Sequence, residues 1–306
     1  MFIRRVALAA LPLAALGLTG CGATAADDGR VHVVVSIYPL QYAVEQIGGD
    51  LVDVTSATPA GVDPHEIELS PRQLRVFSDA DAVVYLSHFQ PSVDDAVVER
   101  APEHALDVAA AADLHPLPAG AVDEHDGEDA GTDHGARLDP HFWLDPTRLA
   151  AVGSAIADLL AEADPDHADD YAARADAFAA DLTALDEEFA TGLASCSSDV
   201  VVTSHAAFGY LTERYGLEQV SVSGIDPEAE PSPARIREVR ETIDRLGVTG
   251  VFTEPLADPA VADALAADLG VHVGELDPLD AHSGGPDYRE VMSANLTALR
   301  TGLECS

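Results

Sequence analysis

The amino-acid sequence predicts an α/β protein with two lobes, each built on a parallel sheet flanked by helices. The 306 residues are enough for two domains of ordinary size, each with its own apolar core. Short β-branched segments alternate with helical patterns in both halves of the chain, which is typical of βαβ units. Between the halves, helical periodicity continues with a single break, as expected of a connector.

The chain begins with the pattern of an exported bacterial lipoprotein. Two arginines precede an apolar run, and Leu18-Thr19-Gly20-Cys21 places small residues directly before a cysteine. We therefore expect a signal peptide over residues 1–20, a lipid on Cys21 and a tether over residues 21–30. An ordinary secretory signal with an incidental cysteine is the alternative. The expected location is extracytoplasmic, anchored by lipid to the bacterial cell membrane.

The first lobe is predicted over residues 31–146. Its strands are expected at 31–37, 51–57 and 82–86, and its helices at 38–47, from 71 onward and at 91–100. Regular patterning stops over residues 115–137, where His115, His125 and His134 lie among many carboxylates. This acidic stretch is interpreted either as a solvated insertion or as a loop that collects metal weakly.

A helical connector is predicted over residues 147–195, with a break at Asp164-Pro165 where one helix ends and a longer one begins. The second lobe follows over residues 196–306 and repeats the first in kind. Its strands are expected at 200–203, 217–222, 250–253 and 271–273, and its helices at 206–215, 233–246, 259–269 and 288–303.

The charge of the chain limits its partners. The 16 basic residues are all arginine and face 54 acidic residues, giving a formal net charge of −38. This excess of negative charge excludes nucleic acid and an anionic membrane surface as partners, and it favours cations. Most of the carboxylates are interpreted as a solvated surface.

Four side chains that follow or adjoin predicted strand ends are candidate metal ligands. His65 and His141 belong to the first lobe, and His205 and Asp277 belong to the second. Ligands of open α/β sheets lie beyond the carboxyl ends of the strands, so these side chains are expected to converge between the lobes. Three imidazoles and a carboxylate suit tetrahedral zinc, with manganese as the weaker competitor.

Four motifs carry a resemblance to a known family. They are Asp63-Pro64-His65-Glu66, Asp139-Pro140-His141-Phe142-Trp143-Leu144-Asp145-Pro146, Ser204-His205-Ala206-Ala207-Phe208-Gly209-Tyr210-Leu211 and Leu276-Asp277-Pro278-Leu279. Together with the lipoprotein box, the chain resembles the zinc and manganese solute-binding lipoproteins of ABC metal importers over nearly its whole mature length. The resemblance implies a roughly four-stranded parallel sheet in each lobe, a long rigid helix joining the lobes, and a metal between them.

The same resemblance implies a ligand set. It makes His65, His141 and His205 metal ligands, with Asp277 as the fourth and Glu66 or Asp280 as alternatives to it. A histidine at the position of His205 is typical of the zinc branch of the family. Glu254 is expected at the rim of the site or behind a ligand.

Two cysteines remain once Cys21 carries a lipid. Cys196 precedes the first strand of the second lobe and Cys305 lies near the chain end. Outside the cytoplasm we expect them to form a disulfide that anchors the last helix. A thiolate metal site is the alternative.

The predicted function is that of an extracytoplasmic receptor, not an enzyme, that captures zinc between the lobes and delivers it to an ABC permease and its ATPase. A manganese receptor or a metal-binding adhesin of the same fold is an alternative. A secreted zinc hydrolase is the alternative from another class, but catalytic zinc needs an open coordination position, which a fourth protein ligand would fill. The chain is expected to be a monomer.

Overall fold

A computed structural model of the chain describes residues 29–101, 103–117, 138–255 and 260–306. The expected signal peptide, Cys21, His125 and His134 lie outside the described residues. None of the helices in the described part of the chain is long and apolar enough to cross a membrane.

The first lobe is built on a four-stranded parallel sheet. Its strands are β1 (Val31–Val35), β2 (Val52–Ser56), β3 (Ala82–Tyr85) and β4 (Ala105–Asp107), in the spatial order β2-β1-β3-β4. The sequence pattern predicts three of these strands and misses β4. The reason is local: Ala105-Leu106-Asp107 is short and has no β-branched residue, so only pairing with β3 makes it a strand.

Four helices flank this sheet: α1 (Tyr38–Gly48), α2 (Pro71–Asp79), α3 (Pro91–Arg100) and α4 (Ala109–Ala112). The start of α2 shows how the sequence sets a boundary. Ser70 and Gln73 bond to each other's backbone N–H groups in a capping box, and Pro71 occupies the first turn, where its missing N–H costs nothing.

The second lobe has the same design. Its strands β5 (Val200–Thr203), β6 (Glu218–Ser221), β7 (Gly250–Thr253) and β8 (His272–Glu275) are all parallel, in the order β6-β5-β7-β8. Its helices are α7 (Gly209–Tyr215), α8 (Pro233–Leu246), α9 (Ala260–Leu269) and α10 (Tyr288–Gly302). The helix predicted at 206–215 starts later, because the residues before Gly209 form an irregular loop after β5.

Two helices connect the lobes. Asp145 caps α5 (Pro146–Ala163) by accepting the N–H of Thr147, and the helix ends before Asp164-Pro165, as predicted. A single 3₁₀ turn then reverses the chain into α6 (Ala168–Gly192), which packs along α5. With 25 residues, α6 is roughly 37 Å long, and it contacts both α1 of the first lobe and α10 of the second.

One apolar core runs from the first lobe into the second beneath the cleft between them. Trp143, fully buried, donates its Nε1–H to the carbonyl of Pro278 across the lobes (2.8 Å). The hydroxyl of Tyr288, also buried, donates to the carbonyl of Trp143 (2.6 Å). These bonds hold the segment around His141 against the second lobe.

Cys196 and Cys305 form a disulfide, which confirms the predicted pair. The bridge joins the residues before β5 to the residues after α10. Backbone hydrogen bonds from Ser197 to Leu303 (2.9 Å) and from Ser306 to Ser195 (2.9 Å) reinforce the same junction.

Candidate metal centre

Three histidines and one aspartate meet between the lobes. One ligand atom from each of His65, His141, His205 and Asp280 lies within 4.8 Å of all the others. The two carboxylate oxygens of Asp280 lie 3.8 Å from Nε2 of His141 and 3.6 Å from Nε2 of His205. These separations leave room for a cation that all four side chains could contact.

The fold explains why these residues converge. His65 lies in the loop after β2, His205 directly after β5, and Asp280 after β8, so all three follow the carboxyl ends of parallel strands. His141 lies just before α5, in the segment that Trp143 fastens to the second lobe. The site therefore takes two residues from each lobe.

His141, His205 and Asp280 are buried, and their atoms that face the group lack hydrogen bonds. His141, His205 and Asp280 are 0%, 1% and 4% exposed. The Nε2 atoms of both histidines and both carboxylate oxygens of Asp280 have no hydrogen-bond partner. Buried polar atoms without partners are costly and uncommon in native proteins. A bound cation would satisfy all of them at once.

Asp139 orients His141. Its Oδ1 accepts the backbone N–H of His141 (2.9 Å) and lies 2.8 Å from the ring Nδ1. With the proton on Nδ1, the lone pair of Nε2 points into the group, which is the usual arrangement behind a metal-bound histidine. The second lobe packs against this aspartate, since a Cβ added at Gly209 would lie 2.8 Å from its Oδ2.

Glu254, which follows β7, orients His205 in the same way. Its Oε1 accepts the backbone N–H of His205 (2.9 Å) and its Oε2 contacts the ring Nδ1. The prediction placed Glu254 at the rim or behind a ligand, and the structure puts it behind His205. Sequence reasoning missed the equivalent role of Asp139, although its position two residues before His141 was a usable signal.

Burial and neighbouring charges shift the pKa values of the group. Burial, together with His205, lowers the pKa of His141 well below its ordinary value, which keeps this imidazole neutral. Burial also lowers the pKa of His205, but Glu254 and Asp280 more than offset it, and the pKa rises to about 8. Desolvation raises the pKa of Asp280 well above its ordinary range, and it raises that of Asp139 to about 7.

The aspartate predicted as the fourth ligand has another position. The carboxylate of Asp277 accepts the backbone N–H of Leu279 (2.7 Å), and Asn295 binds its backbone on both sides. Asp277 thus closes the turn that carries Asp280 into the group, while its own side chain stays out of it. Of the two alternatives, Asp280 joins the histidines, whereas Glu66 is exposed and does not.

His115, from the predicted acidic stretch, is also outside the group. Its ring lies between Glu213 of α7 (Nδ1 to Oε2, 3.2 Å) and Arg148 of α5 (Nε2 to NH2, 3.1 Å). It makes a contact between the lobes at the side of the cleft.

Comparisons with known proteins agree with this architecture. The family of ZnuA, described as "Zinc-uptake complex component A periplasmic", matches residues 33–302. The zinc-binding lipoprotein AdcA of Streptococcus pneumoniae is 33% identical over 97% of this chain, and the chain spans 61% of that protein's length. The high-affinity zinc uptake system protein ZnuA of Bacillus subtilis is 31% identical over 97% of this chain and 96% of its own length.

Solved structures share the fold as well. The Zn(II)-bound ZnuA-like domain of S. pneumoniae AdcA has a TM-score of 0.73 and 30% identity, covering 90% of this chain and all of that one. The laminin-binding protein Lmb of Streptococcus agalactiae, described as bifunctional with adhesin and metal transporting activity, has a TM-score of 0.75 and 32% identity, covering 89% of this chain and 99% of that one. The chain belongs to the ZnuA family of zinc-uptake solute-binding proteins.

Proposed function

We propose that this protein is the extracytoplasmic receptor of an ABC importer, which captures zinc between its lobes and delivers it to a membrane permease and its ATPase. The supporting observation is the buried group of three imidazole nitrogens and one carboxylate, with unpartnered Nε2 atoms on His141 and His205 and unpartnered oxygens on Asp280. The ligands are His65, His141, His205 and Asp280.

The donor set favours zinc over manganese. Imidazole nitrogen is a borderline-soft ligand that suits zinc, whereas manganese prefers sites rich in oxygen. Four protein ligands complete the tetrahedral coordination that zinc prefers. Carboxylates behind His141 and His205 hold both rings in one tautomer and raise their basicity, which strengthens zinc binding.

A receptor fits these observations better than a hydrolase. Catalytic zinc keeps one coordination position open for water, and here protein atoms supply four. The family match to zinc-uptake proteins points the same way. Adhesion, which the description of the S. agalactiae protein adds to metal transport, stays a prediction for this chain.

We also propose that the protein is exported and anchored to the membrane by a lipid. Relatives that carry the name lipoprotein support a lipid on Cys21 after removal of residues 1–20. Mass spectrometry of the full chain expressed in a bacterium should show a diacylglycerol-modified Cys21 as the first residue. An unmodified amino terminus at another position would contradict it.

Zinc titration of the purified, metal-stripped chain tests the central proposal. We expect one tightly bound zinc per chain by elemental analysis, and a competition assay with a chelator should rank zinc well above manganese. Binding of manganese ahead of zinc would contradict the assignment of cargo, and absence of a tight 1:1 complex would contradict the receptor itself.

A further inference from the structure

The loop that carries Asp280 also touches the first lobe. Two residues further on, the ring of His282 stacks on the ring of Tyr38 in α1, with centroids 3.8 Å apart and planes 14° apart. The backbone N–H of Gly61, in the loop after β2, donates to the carbonyl of His282 (3.1 Å). Contacts from two elements of the first lobe therefore converge on His282.

The same loop is anchored at both ends within its own lobe; it is buried around Asp280 and exposed only beyond His282. At its start, Asn295 binds the backbone of Asp277, and at its end Asp287 forms the capping box of α10. The intervening stretch contains Gly284, whose φ of +78° suits glycine, and the residues from 283 to 287 are exposed. Because the loop is anchored at its ends, contacts made at His282 can determine where its middle lies.

Asp280 depends on this loop more than His141 and His205 depend on theirs. The side chains of His141 and His205 are held by Asp139 and Glu254. In contrast, neither carboxylate oxygen of Asp280 accepts a hydrogen bond. Its position over the histidines is therefore set by the backbone of the loop. The bond from Trp143 to Pro278 attaches this backbone to the first lobe before Asp280, and the contacts of His282 attach it after Asp280.

A cavity lies beside the stacked rings. It has a volume of about 520 Å³ and is lined by Tyr38, His282 and, of the four ligand residues, Asp280 alone. Glu45 and Asp287 add negative charge to its walls. If the rings separated and the loop moved outward, Asp280 would move away from the histidines. It would move toward this cavity, which it already lines.

We propose that Tyr38 and His282 are positioning residues that keep Asp280 on the bound metal and thereby set the rate of metal release. This inference rests on the proposed function, since it assumes that zinc occupies the group. Separation of the two rings withdraws the carboxylate ligand and leaves the cation on three imidazoles. A cation on fewer ligands dissociates faster, so the contact between the lobes controls how readily the cargo leaves.

Release kinetics test the inference. Zinc-loaded protein is mixed with excess chelator and the release rate is followed by absorbance. Tyr38→Ala and His282→Ala should each release zinc roughly three- to tenfold faster, the range that loss of an aromatic pair supports. Tyr38→Phe and His282→Phe keep stacked rings and should stay close to the original protein. Equal acceleration by the Phe variants would overturn the role of stacking.

A matched control separates this contact from any other contact between the lobes. His115→Ala removes a different contact between the lobes, the one from the His115 ring to Glu213, and should leave the release rate unchanged. In an Asp280→Ala background, Tyr38→Ala should add no further acceleration, because both changes act through the same ligand. Fully additive effects, or an equal effect of His115→Ala, would overturn the inference.

The outcomes distinguish this inference from the proposed function. If the original protein holds no zinc, both fail. If it holds one tight zinc and neither alanine variant releases it faster, the receptor stands and the role of Tyr38 and His282 is wrong. Thermal unfolding of the metal-free variants checks that each remains folded, and His282→Ala, at a partly exposed position, carries the test if Tyr38→Ala does not fold.

Discussion

Asp277 and Asp280, which flank Pro278 and Leu279, have different roles. Asp280 faces the histidines with two unpartnered oxygens, whereas Asp277 closes a turn by accepting the N–H of Leu279. Separate substitution of Asp280 and Asp277 should therefore distinguish a loss of zinc affinity from a loss of folding stability. We expect Asp280→Asn to weaken zinc binding by about 100-fold or more, since it removes an anionic ligand where loss of a supporting residue alone costs about 10- to 100-fold.

The matched variant is Asp277→Asn. Its amide oxygen can still accept the N–H of Leu279, so we expect zinc affinity within about tenfold of the original and a stability loss of about 1 kcal/mol or less. Chelator competition gives the affinities, and urea unfolding of the metal-free proteins gives the stabilities. A larger affinity loss for Asp277→Asn than for Asp280→Asn would return Asp277 to the ligand set.

The pKa values predict how zinc binding depends on pH. Because the pKa of His205 is raised to about 8, this imidazole carries a proton at pH 7 that zinc must displace. The raised pKa of Asp280 acts in the same direction, while His141, with a lowered pKa, is already neutral. Affinity should therefore rise as pH increases from 6 to 8, with proton release measurable by calorimetry in buffers of different ionisation enthalpy.

Glu254→Gln provides the control for this pH dependence. The amide oxygen can still accept the Nδ1–H of His205, but the charge that raises the pKa of the imidazole is gone. The variant should release fewer protons on binding zinc at pH 7 and should bind zinc about 10- to 100-fold more weakly at pH 8. Unchanged proton release would show that Glu254 does not govern the protonation of His205.

Among the structural elements, α10 is held in place partly by a covalent bond. The Cys196–Cys305 bridge joins its far end to the start of β5 across 109 residues of sequence. A loop of this length should contribute about 3–5 kcal/mol in the chain-entropy model. Reduction, or the paired substitution Cys196→Ser/Cys305→Ser, should lower the free energy of unfolding by about that amount in guanidinium titrations.

Zinc measurements on the same protein provide the contrast. The proposed ligand His205 follows β5, whereas Cys196 precedes it, so the reduced protein should still bind one zinc under conditions in which it remains folded. Loss of the tight zinc on reduction of a folded protein would show that the disulfide shapes the site directly.

The same short Asp-Pro turn occurs in three of the loops that contribute to the group of histidines and aspartate. In Asp63-Pro64-His65, Asp139-Pro140-His141 and Asp277-Pro278-Leu279, the aspartate accepts the backbone N–H two residues later, at 2.8, 2.9 and 2.7 Å. Proline fixes one dihedral and the carboxylate bond fixes the next residue. In the first two turns the residue after proline is the histidine of the group. In the third it is Leu279, and the residue that faces the histidines is the next one, Asp280.

For the molecule as a whole, most of the acidic stretch over residues 115–137 should be dispensable for tight binding of zinc. The two ends of the stretch are paired, since Pro116 and Leu138 form an antiparallel bridge and the N–H of Asp139 donates to the carbonyl of His115 (2.9 Å). Replacement of residues 118–137 by a short Gly-Ser link should therefore leave both lobes and the single tight zinc in place. Zinc titration with elemental analysis checks this.

The replacement should also remove weak zinc sites only if the acidic stretch itself collects metal. Its His125 and His134, with the surrounding carboxylates, would then account for additional zinc bound by the intact chain at high concentration. Disappearance of the tight zinc with the deletion would mean that the ligand set is wrong.

Much of this protein could be predicted from the sequence by itself because the relevant signals are local. Strands of the second lobe appear as β-branched runs such as Val200–Thr203, and the break at Asp164-Pro165 divides α5 from α6. The lobe assignment of His65, His141 and His205 follows from their places after strand patterns or before a helix. The pairing of Cys196 with Cys305 follows from there being only two cysteines after Cys21.

Only the tertiary structure decided which carboxylate faces the histidines and which residues orient His141 and His205. Asp277 and Asp280 are equally acidic in the sequence, and they differ because the bond to Leu279 turns one carboxylate back onto its own backbone. Glu254 meets His205 across 49 residues, and β4 exists through pairing with β3. The spacing of apolar residues along the sequence predicts helices and strands. The direction of a side chain in a loop depends instead on its hydrogen-bond partners, some of which, like Glu254 for His205, are distant in the chain.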